Sequence, residues 1–166
     1  MENAFWNNIF KKSDESESQQ LLALKKVPIF QGLSDREFNS ILKIVHHRTF
    51  DKEEFIFKSN TPGLGMYIIS HGQVKLDGKD TDGKEMEFAT LNPGDFFGEI
   101  SLISEENRFF NALAISNCEL IAFFRTDLLE IITRSPKLGN KILLNLATVL
   151  GNRLINTNEF LTNGVK

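Results

Sequence analysis

The stretch FFGEISLISEENRFFNALA, residues 96–114, decides how the rest of the chain is interpreted. Gly98 has no Cβ, so the backbone there can approach a ligand closely, and the carboxylate of Glu99 follows it as an acceptor. The turn Ile100-Ser101 would direct free amides of a helix N-terminus at an anion. Arg108 offers a guanidinium that can meet the same anion with two donors. The stretch therefore predicts a phosphate-sized anion site.

Short strand patterns lie on both sides of this stretch, between Arg48 and Phe124. Six segments are rich in β-branched and aromatic residues: EFIFK, MYIIS, QVKL, EMEFATL, NALAI and CELIAFF. The turns TPGLG, SHG, DGKDTDG and NPGD separate several of them. Many short strands joined by glycine-bearing turns are typical of an all-β roll or barrel.

Helical patterns precede and follow the strands. Ser34 and Glu37 have the spacing of a capping box, which predicts a helix start in GLSDREFNSILKIVHH, with His46 and His47 at the helix end. TDLLEIITR predicts a short helix, and Pro136 suits the first turn of a long final one. The predicted fold class is α+β: a jelly-roll-like β-roll of about eight short strands with N-terminal helices and a long C-terminal helix.

The final helix carries an apolar stripe. Its members recur every three or four positions: Leu138, Ile142, Leu146, Val149, Leu150 and Leu154. Little sequence remains to cover this stripe, so a second copy of the chain is the natural partner. We expect a homodimer through residues 137–160.

Residues 1–20 are expected to be an N-terminal amphipathic segment and a polar linker. Large apolar side chains share one face of a short helix in MENAFWNNIFKK: Phe5, Trp6, Ile9 and Phe10. A membrane contact is disfavoured against packing on the protein or a partner subunit, because only Lys11 and Lys12 add nearby cations. The domain is expected to span residues 21–160, with a tail at 161–166.

Composition limits the classes of function. The 166 residues carry 19 Lys plus Arg against 22 Asp plus Glu, a formal charge of −3, so direct DNA binding is not expected. The lone Cys118 excludes an internal disulfide and fits a reducing compartment. No signal peptide or bilayer-spanning apolar run is evident. We expect a cytoplasmic protein.

Catalytic and metal-binding patterns are not evident. The three histidines, His46, His47 and His71, are not spaced as a metal site, and the acidic GKDTDGKE turn lacks calcium-loop spacing. No nucleophile and base or carboxylate pair has plausible spacing. We expect neither an enzyme nor a metal or cofactor.

Four segments, in order, resemble the cyclic nucleotide-binding domain family over roughly residues 22–160: VPIFQGLSDREF, FIFKSNTPGLGMYIISHGQVKL, LNPGDFFGEISLI and PKLGNKILLNLATVLGNRL. The resemblance implies a β-roll that closes over cAMP or cGMP, with the final helix as lid and dimer contact. It implies that Glu99 holds the ribose 2′-hydroxyl and that Arg108 pairs with the cyclic phosphate. Candidate base contacts on the lid are Thr148, Asn152 and Arg153, and the sequence does not say which faces the ligand.

The chain departs from the family directly after Arg108. The family has two small residues and then Ser or Thr there, whereas this chain has Phe109, Phe110 and Asn111. Strand alternation predicts that Phe109 points to the pocket and Phe110 to the core, and the Asn111 amide could replace the missing hydroxyl. Glu99 and Arg108 would be costly to bury without a ligand, unless they pair with each other.

Two functions therefore remain open. The first is a regulatory sensor of cAMP or cGMP with an altered phosphate wall. The second is an interaction or scaffold domain with a degenerate site, in which a phenylalanine fills the pocket. Only NTNEFLTNGVK follows the long helix, too short for a helix-turn-helix, so we expect the signal to pass to a separate effector protein.

Overall fold

The computed structural model describes residues 20–79 and 82–163. The amphipathic segment and linker predicted for residues 1–20 lie almost entirely outside this part of the chain, as do residues 164–166 of the predicted tail. The last helix continues through Asn163, past the domain boundary expected at residue 160.

Within the described residues, four helices frame the domain. The first, α1, covers residues 20–26 and is followed by a 3₁₀ turn, Pro28–Phe30. The others are α2 (Asp35–Leu42), α3 (Arg125–Arg134) and α4 (Pro136–Asn163). The predicted capping box is present, because Ser34 Oγ accepts from the Glu37 amide and the Glu37 carboxylate accepts from the Ser34 amide at 2.8 Å.

The end of α2 differs from the prediction. The helix stops at Leu42, and His46 and His47 belong to the first strand rather than to a helix end. The physical reason is that His46 pairs with Ala122 and His47 with Ile121, so that strand partners distant in sequence satisfy the backbone groups of this segment.

Eight strands of the described chain form the roll, as expected. Their bounds are β1 His46–Phe50, β2 Phe55–Phe57, β3 Gly65–His71, β4 Val74–Lys79, β5 Glu85–Leu91, β6 Phe96–Phe97, β7 Asn111–Ala114 and β8 Cys118–Phe124. They make two antiparallel sheets with strand orders β1-β8-β3-β6 and β2-β7-β4-β5. The second 3₁₀ turn, Glu99–Leu102, follows β6.

Strand alternation divides the interior into two cores. On β3, Met66 and Ile68 pack in a helical core against the helices, whereas Tyr67 and Ile69 face a roll core between the sheets. The sheet β1-β8-β3-β6 thus has apolar contacts on both faces, which explains the uninterrupted apolar run MYII at residues 66–69. Cys118 is a buried member of the roll core.

The first half of α4 belongs to the helical core. The chain itself buries four members of the predicted apolar stripe, namely Leu138, Ile142, Leu146 and Val149. The expectation that a second copy must cover this part of the stripe is therefore wrong. Leu150 is partly buried against the same core, and beyond it the helix leaves the core, with Leu154 and Ile155 exposed. Within the described residues, no helix combines the length and apolar character needed to cross a bilayer.

Candidate ligand-binding site

A cavity of about 270 Å³ opens between the second 3₁₀ turn, the segment that precedes β7, and α4. Six of the seven residues predicted for the site line it: Gly98, Glu99, Ile100, Ser101, Arg108 and Phe109. The roll therefore brings together two parts of the chain that the sequence separates by a loop. The walls are largely apolar, with a few converging polar groups, which is the usual character of a small-molecule site.

Gly98 gives this site its shape. It has φ 78° and ψ 15°, the left-handed conformation that favours glycine, and it directly precedes the 3₁₀ turn. A Cβ at this position would lie 2.5 Å from Arg108 Nη1. Gly98 is therefore required both for the backbone turn and for the room that the Arg108 guanidinium occupies.

Arg108 is 6% exposed, and its guanidinium is held from several sides. Nη2 donates to the Gly65 carbonyl at 2.7 Å, and Nη1 donates to Ser101 Oγ at 3.0 Å. The guanidinium carbon lies 4.0 Å from the centroid of the Phe57 ring, within cation–π range. These contacts fix the cation at the cavity wall.

The charge of Arg108 is only partly compensated within the described residues, because Glu99 attracts it without forming an ion pair. No carboxylate there forms an ion pair with it, and its Nε is buried without a hydrogen-bond partner. Burial lowers the pKa of Arg108 from its ordinary value, although an arginine side chain remains cationic. A buried cation with an unused donor is costly unless an anion meets it, so this wall is suited to an anionic ligand.

Ser101 has a different role from the one that the sequence predicts. Its amide donates to the Gly98 carbonyl at 3.1 Å, so the turn itself uses the amide that was predicted to meet an anion. Its hydroxyl accepts from Arg108 Nη1. Ser101 therefore positions the guanidinium through its side chain.

Glu99 is 2% exposed and does not pair with Arg108. Its carboxylate instead accepts a hydrogen bond from Nη1 of Arg153, which α4 brings to the cavity. Arg153 also lies over the Phe96 ring, with 5.0 Å from its guanidinium carbon to the ring centroid. The two buried charged residues of the 96–114 stretch, Glu99 and Arg108, thus have separate hydrogen-bond partners.

The structure distinguishes the three candidate lid residues on α4. Of the three, Arg153 alone lines the cavity, and Thr148 and Asn152 line only a neighbouring groove to which Arg153 also contributes. The Thr148 hydroxyl donates to the Leu144 carbonyl within the helix. The Arg153 contact with Glu99 has no local sequence signal, because it joins residues 54 positions apart.

Phe109 and Phe110 are not in a strand, since β7 begins at Asn111, so strand alternation does not govern them. Phe110 packs beside Phe57 and Phe88, with ring centroids 6.3 and 6.2 Å away. Phe109 is 85% exposed at the cavity mouth. Phe110 is packed, as assigned, but it also lines the cavity, whereas Phe109 lies at the rim and does not fill the interior.

Asn111, expected to meet a ligand phosphate, is not among the residues that line this cavity, and its side chain has other partners. Its Oδ1 accepts from the Ser59 amide at 2.9 Å, and its Nδ2 donates to Asp77 Oδ1 at 2.8 Å. The physical reason is that β7 lies beside β4, so that the amide meets a carboxylate of the neighbouring strand. Asn111 therefore fastens the start of β7.

Metal-binding clusters are also absent from the described residues. Over 20–79 and 82–163, no group of three His, Cys, Asp or Glu side chains is placed to hold a metal ion. The chemistry of the cavity therefore comes from the arginines, Glu99 and the aromatic walls.

Comparison with known proteins agrees with this geometry. The family model described as the cyclic nucleotide-binding domain matches residues 47–135. The cyclic AMP receptor protein of Thermus thermophilus is 35% identical over 131 residues, which are 79% of this chain and 59% of that protein. A cGMP-dependent protein kinase of Caenorhabditis elegans is 34% identical over 101 residues, 60% of this chain and 13% of the kinase.

A solved structure, that of a cyclic nucleotide-binding domain from Methylobacillus flagellatus, has a TM-score of 0.79. It is 20% identical in sequence and the match covers 92% of this chain and 85% of that one, which shows the shared fold. The chain spans about three fifths of the length of its Thermus relative and a small part of the kinase. Because the family model covers more than half of the chain and the fold has the expected strands and long C-terminal helix, the chain belongs to the cyclic nucleotide-binding domain family.

Proposed function

We propose that this chain is a regulatory sensor module that binds cAMP or cGMP and passes the signal to a separate effector protein. The observation that carries the proposal is the buried Arg108, which forms no ion pair and whose Nε has no hydrogen-bond partner among the described residues. The names of two relatives support both ligands, since one is a cyclic AMP receptor and the other a cGMP-dependent kinase.

The proposed pose follows from the charges around the cavity. The cyclic phosphate lies at Arg108, where it compensates the buried cation and accepts from Nε. The ribose 2′-hydroxyl donates to the carboxylate of Glu99, which is buried in the cavity lining and forms no ion pair with Arg108. Gly98, Ile100 and Ser101 supply the closely approaching wall around the sugar phosphate.

The signal passes through α4 in this proposal. Past Leu150 the helix lies outside the core, and Arg153 joins that part of α4 to Glu99. The ribose hydroxyl competes with Arg153 for the same carboxylate, so binding weakens this link and shifts the population of α4 positions. The ligand thereby acts on the helix that would meet an effector.

Exposed apolar residues on α4 fit a second copy of the chain: Leu144, Leu154, Ile155 and Leu161. We propose a homodimer through this helix, located in the cytoplasm, with no catalytic activity and no direct DNA contact by this chain. The amphipathic N-terminal residues are proposed to pack on protein and not on membrane.

Calorimetric titration with cAMP and with cGMP tests the proposal. We expect dissociation constants in the micromolar range and a loss of at least about tenfold in Arg108→Lys, because an ammonium cannot replace the two-donor fork. Arg125→Lys is the matched control, since Arg125 pairs with Glu105 at the surface outside this cavity. No heat at millimolar ligand, with folded protein, would instead favour a scaffold with a degenerate site.

A further inference from the structure

Phe109 combines two properties that rarely occur together. It is a large aromatic residue with 85% of its surface exposed, yet it lines the mouth of the cavity that Arg108 and Glu99 form. Phe110, its neighbour, is packed among other rings, whereas no ring stacking or cation–π contact involves Phe109 within the described residues. The ring therefore contributes little to the folded domain and is available to a ligand.

The backbone holds this ring in a defined place without help from its side chain. On one side, the Arg108 amide donates to the Thr61 carbonyl and the Arg108 carbonyl accepts from the Asn60 amide, each at 2.8 Å. On the other side, the Asn111 side chain binds the Ser59 amide. Both flanks of the Phe109-Phe110 pair are thus fastened to the same segment, so the ring stays beside the anion site.

The proposed ligand has three parts, and two of them are accounted for inside the cavity. With the phosphate at Arg108 and the ribose at Glu99, the nucleobase is the part that extends toward the mouth. Phe109 lies there, with the exposed Ile100 in the same lining. A flat base can stack on such a ring, which removes one face of the ring and one face of the base from water.

We propose that Phe109 is a specificity-determining residue: its ring is a stacking platform for the base and favours purine over pyrimidine cyclic nucleotides. The inference rests on the sensor function proposed above. A purine presents two fused rings to the platform and a pyrimidine only one, so the stacked area and the gain on binding are larger for purines. The same ring, if it obstructed the ligand, would have the opposite effect on affinity.

Three substitutions separate these alternatives: Phe109→Ala, Phe109→Leu and Phe109→Trp, each titrated with cAMP and with cyclic CMP. Phe109→Ala should weaken cAMP binding about tenfold and cyclic CMP binding less, so that the purine preference shrinks. Phe109→Leu keeps apolar bulk without a π face, so its affinity for cAMP should lie between those of Phe109→Ala and the unmodified chain. Phe109→Trp should bind cAMP at least as tightly as the unmodified chain. Leu64→Ala, at an exposed apolar position outside this cavity, should change nothing.

The results separate this inference from the proposed function. Binding of cAMP with an unchanged purine preference in Phe109→Ala, or tighter binding in that variant, would overturn the platform and leave the sensor function standing. No binding of any cyclic nucleotide to the folded, unmodified chain would overturn both. Because the ring is exposed, all variants should fold, and their melting temperatures without ligand verify this.

Discussion

Arg153, on the part of α4 that has left the core, donates a hydrogen bond to the carboxylate of Glu99, which is buried in the second 3₁₀ turn. The two residues are 54 positions apart. Their contact places a cation of α4 at one of the two buried charged groups of the cavity, whereas the other, Arg108, forms no ion pair with a carboxylate of the described residues. In this site, Glu99 is therefore held in an ion pair and Arg108 is not.

Arg153→Ala should loosen the end of α4 and strengthen nucleotide binding by a few fold. The ligand then no longer competes with a guanidinium for Glu99, and α4 loses a polar link to the roll. Hydrogen exchange of residues 150–163 in the unliganded protein, together with calorimetry, measures both effects. Arg134→Ala, whose ion pair with Glu130 is local to α3, is the control. Weaker binding in Arg153→Ala would mean that Arg153 contacts the ligand directly.

Gly98→Ala should abolish nucleotide binding, and Gly32→Ala should not. Both glycines have φ in the left-handed region, 78° and 72°, so either alanine costs about 1–2 kcal/mol of stability from backbone strain. Only at Gly98 would the new Cβ meet Arg108 Nη1, whereas at Gly32 the space is open. The melting temperatures of the two variants measure the cost of backbone strain, and titration with cAMP measures the effect of the Cβ contact on binding. Equal binding by both variants would show that the guanidinium can shift at no cost to the ligand.

The capping carboxylate of Glu37 should make stability depend on acidic pH. Its hydrogen bond from the Ser34 amide, and then that from Lys141 on α4, lower the pKa of Glu37 from 4.5 to about 2. The folded state therefore holds this carboxylate ionised more strongly than the unfolded state does. The stabilisation is complete above pH 4.5 and is lost as pH falls toward 2.

Urea unfolding of the unmodified chain and Glu37→Gln at several pH values tests this dependence. The difference in unfolding midpoint should be largest above pH 4.5 and should vanish near pH 2. Glu130→Gln removes a surface carboxylate of an i,i+4 pair and should show little difference at any pH. A constant difference for Glu37→Gln down to pH 2 would contradict the assignment.

Leu154→Glu should convert the proposed homodimer to monomer. Leu154 is 62% exposed on the part of α4 outside the core, so a carboxylate there is harmless in a monomer and costly in an apolar helix pair. Light scattering coupled to size exclusion at micromolar concentration reports the mass. Leu64→Glu, at an equally exposed position away from α4, should stay dimeric. A monomeric mass for the unmodified chain would refute the dimer itself.

Local patterns were enough for most of the fold. The six quoted strand segments, the Ser34 capping box and the start of α4 at Pro136 depend on neighbouring residues and on a period of two or of 3.6, and all of them are present. The short strands β1 and β6 have weaker patterns, because the pairing of a five-residue or two-residue strand depends on a distant partner.

The sequence alone also located one wall of the cavity, because Gly98, Glu99 and Arg108 lie close together in the chain and have distinctive chemistry. The tertiary structure decided how each of them is paired. Arg153 reaches Glu99 only because α4 folds back over the roll, and Asn111 turns to Asp77, 34 positions away, because β7 lies beside β4. Pattern along the chain reports which side of an element is buried, whereas a hydrogen-bond or ion-pair partner is set by which elements meet in space.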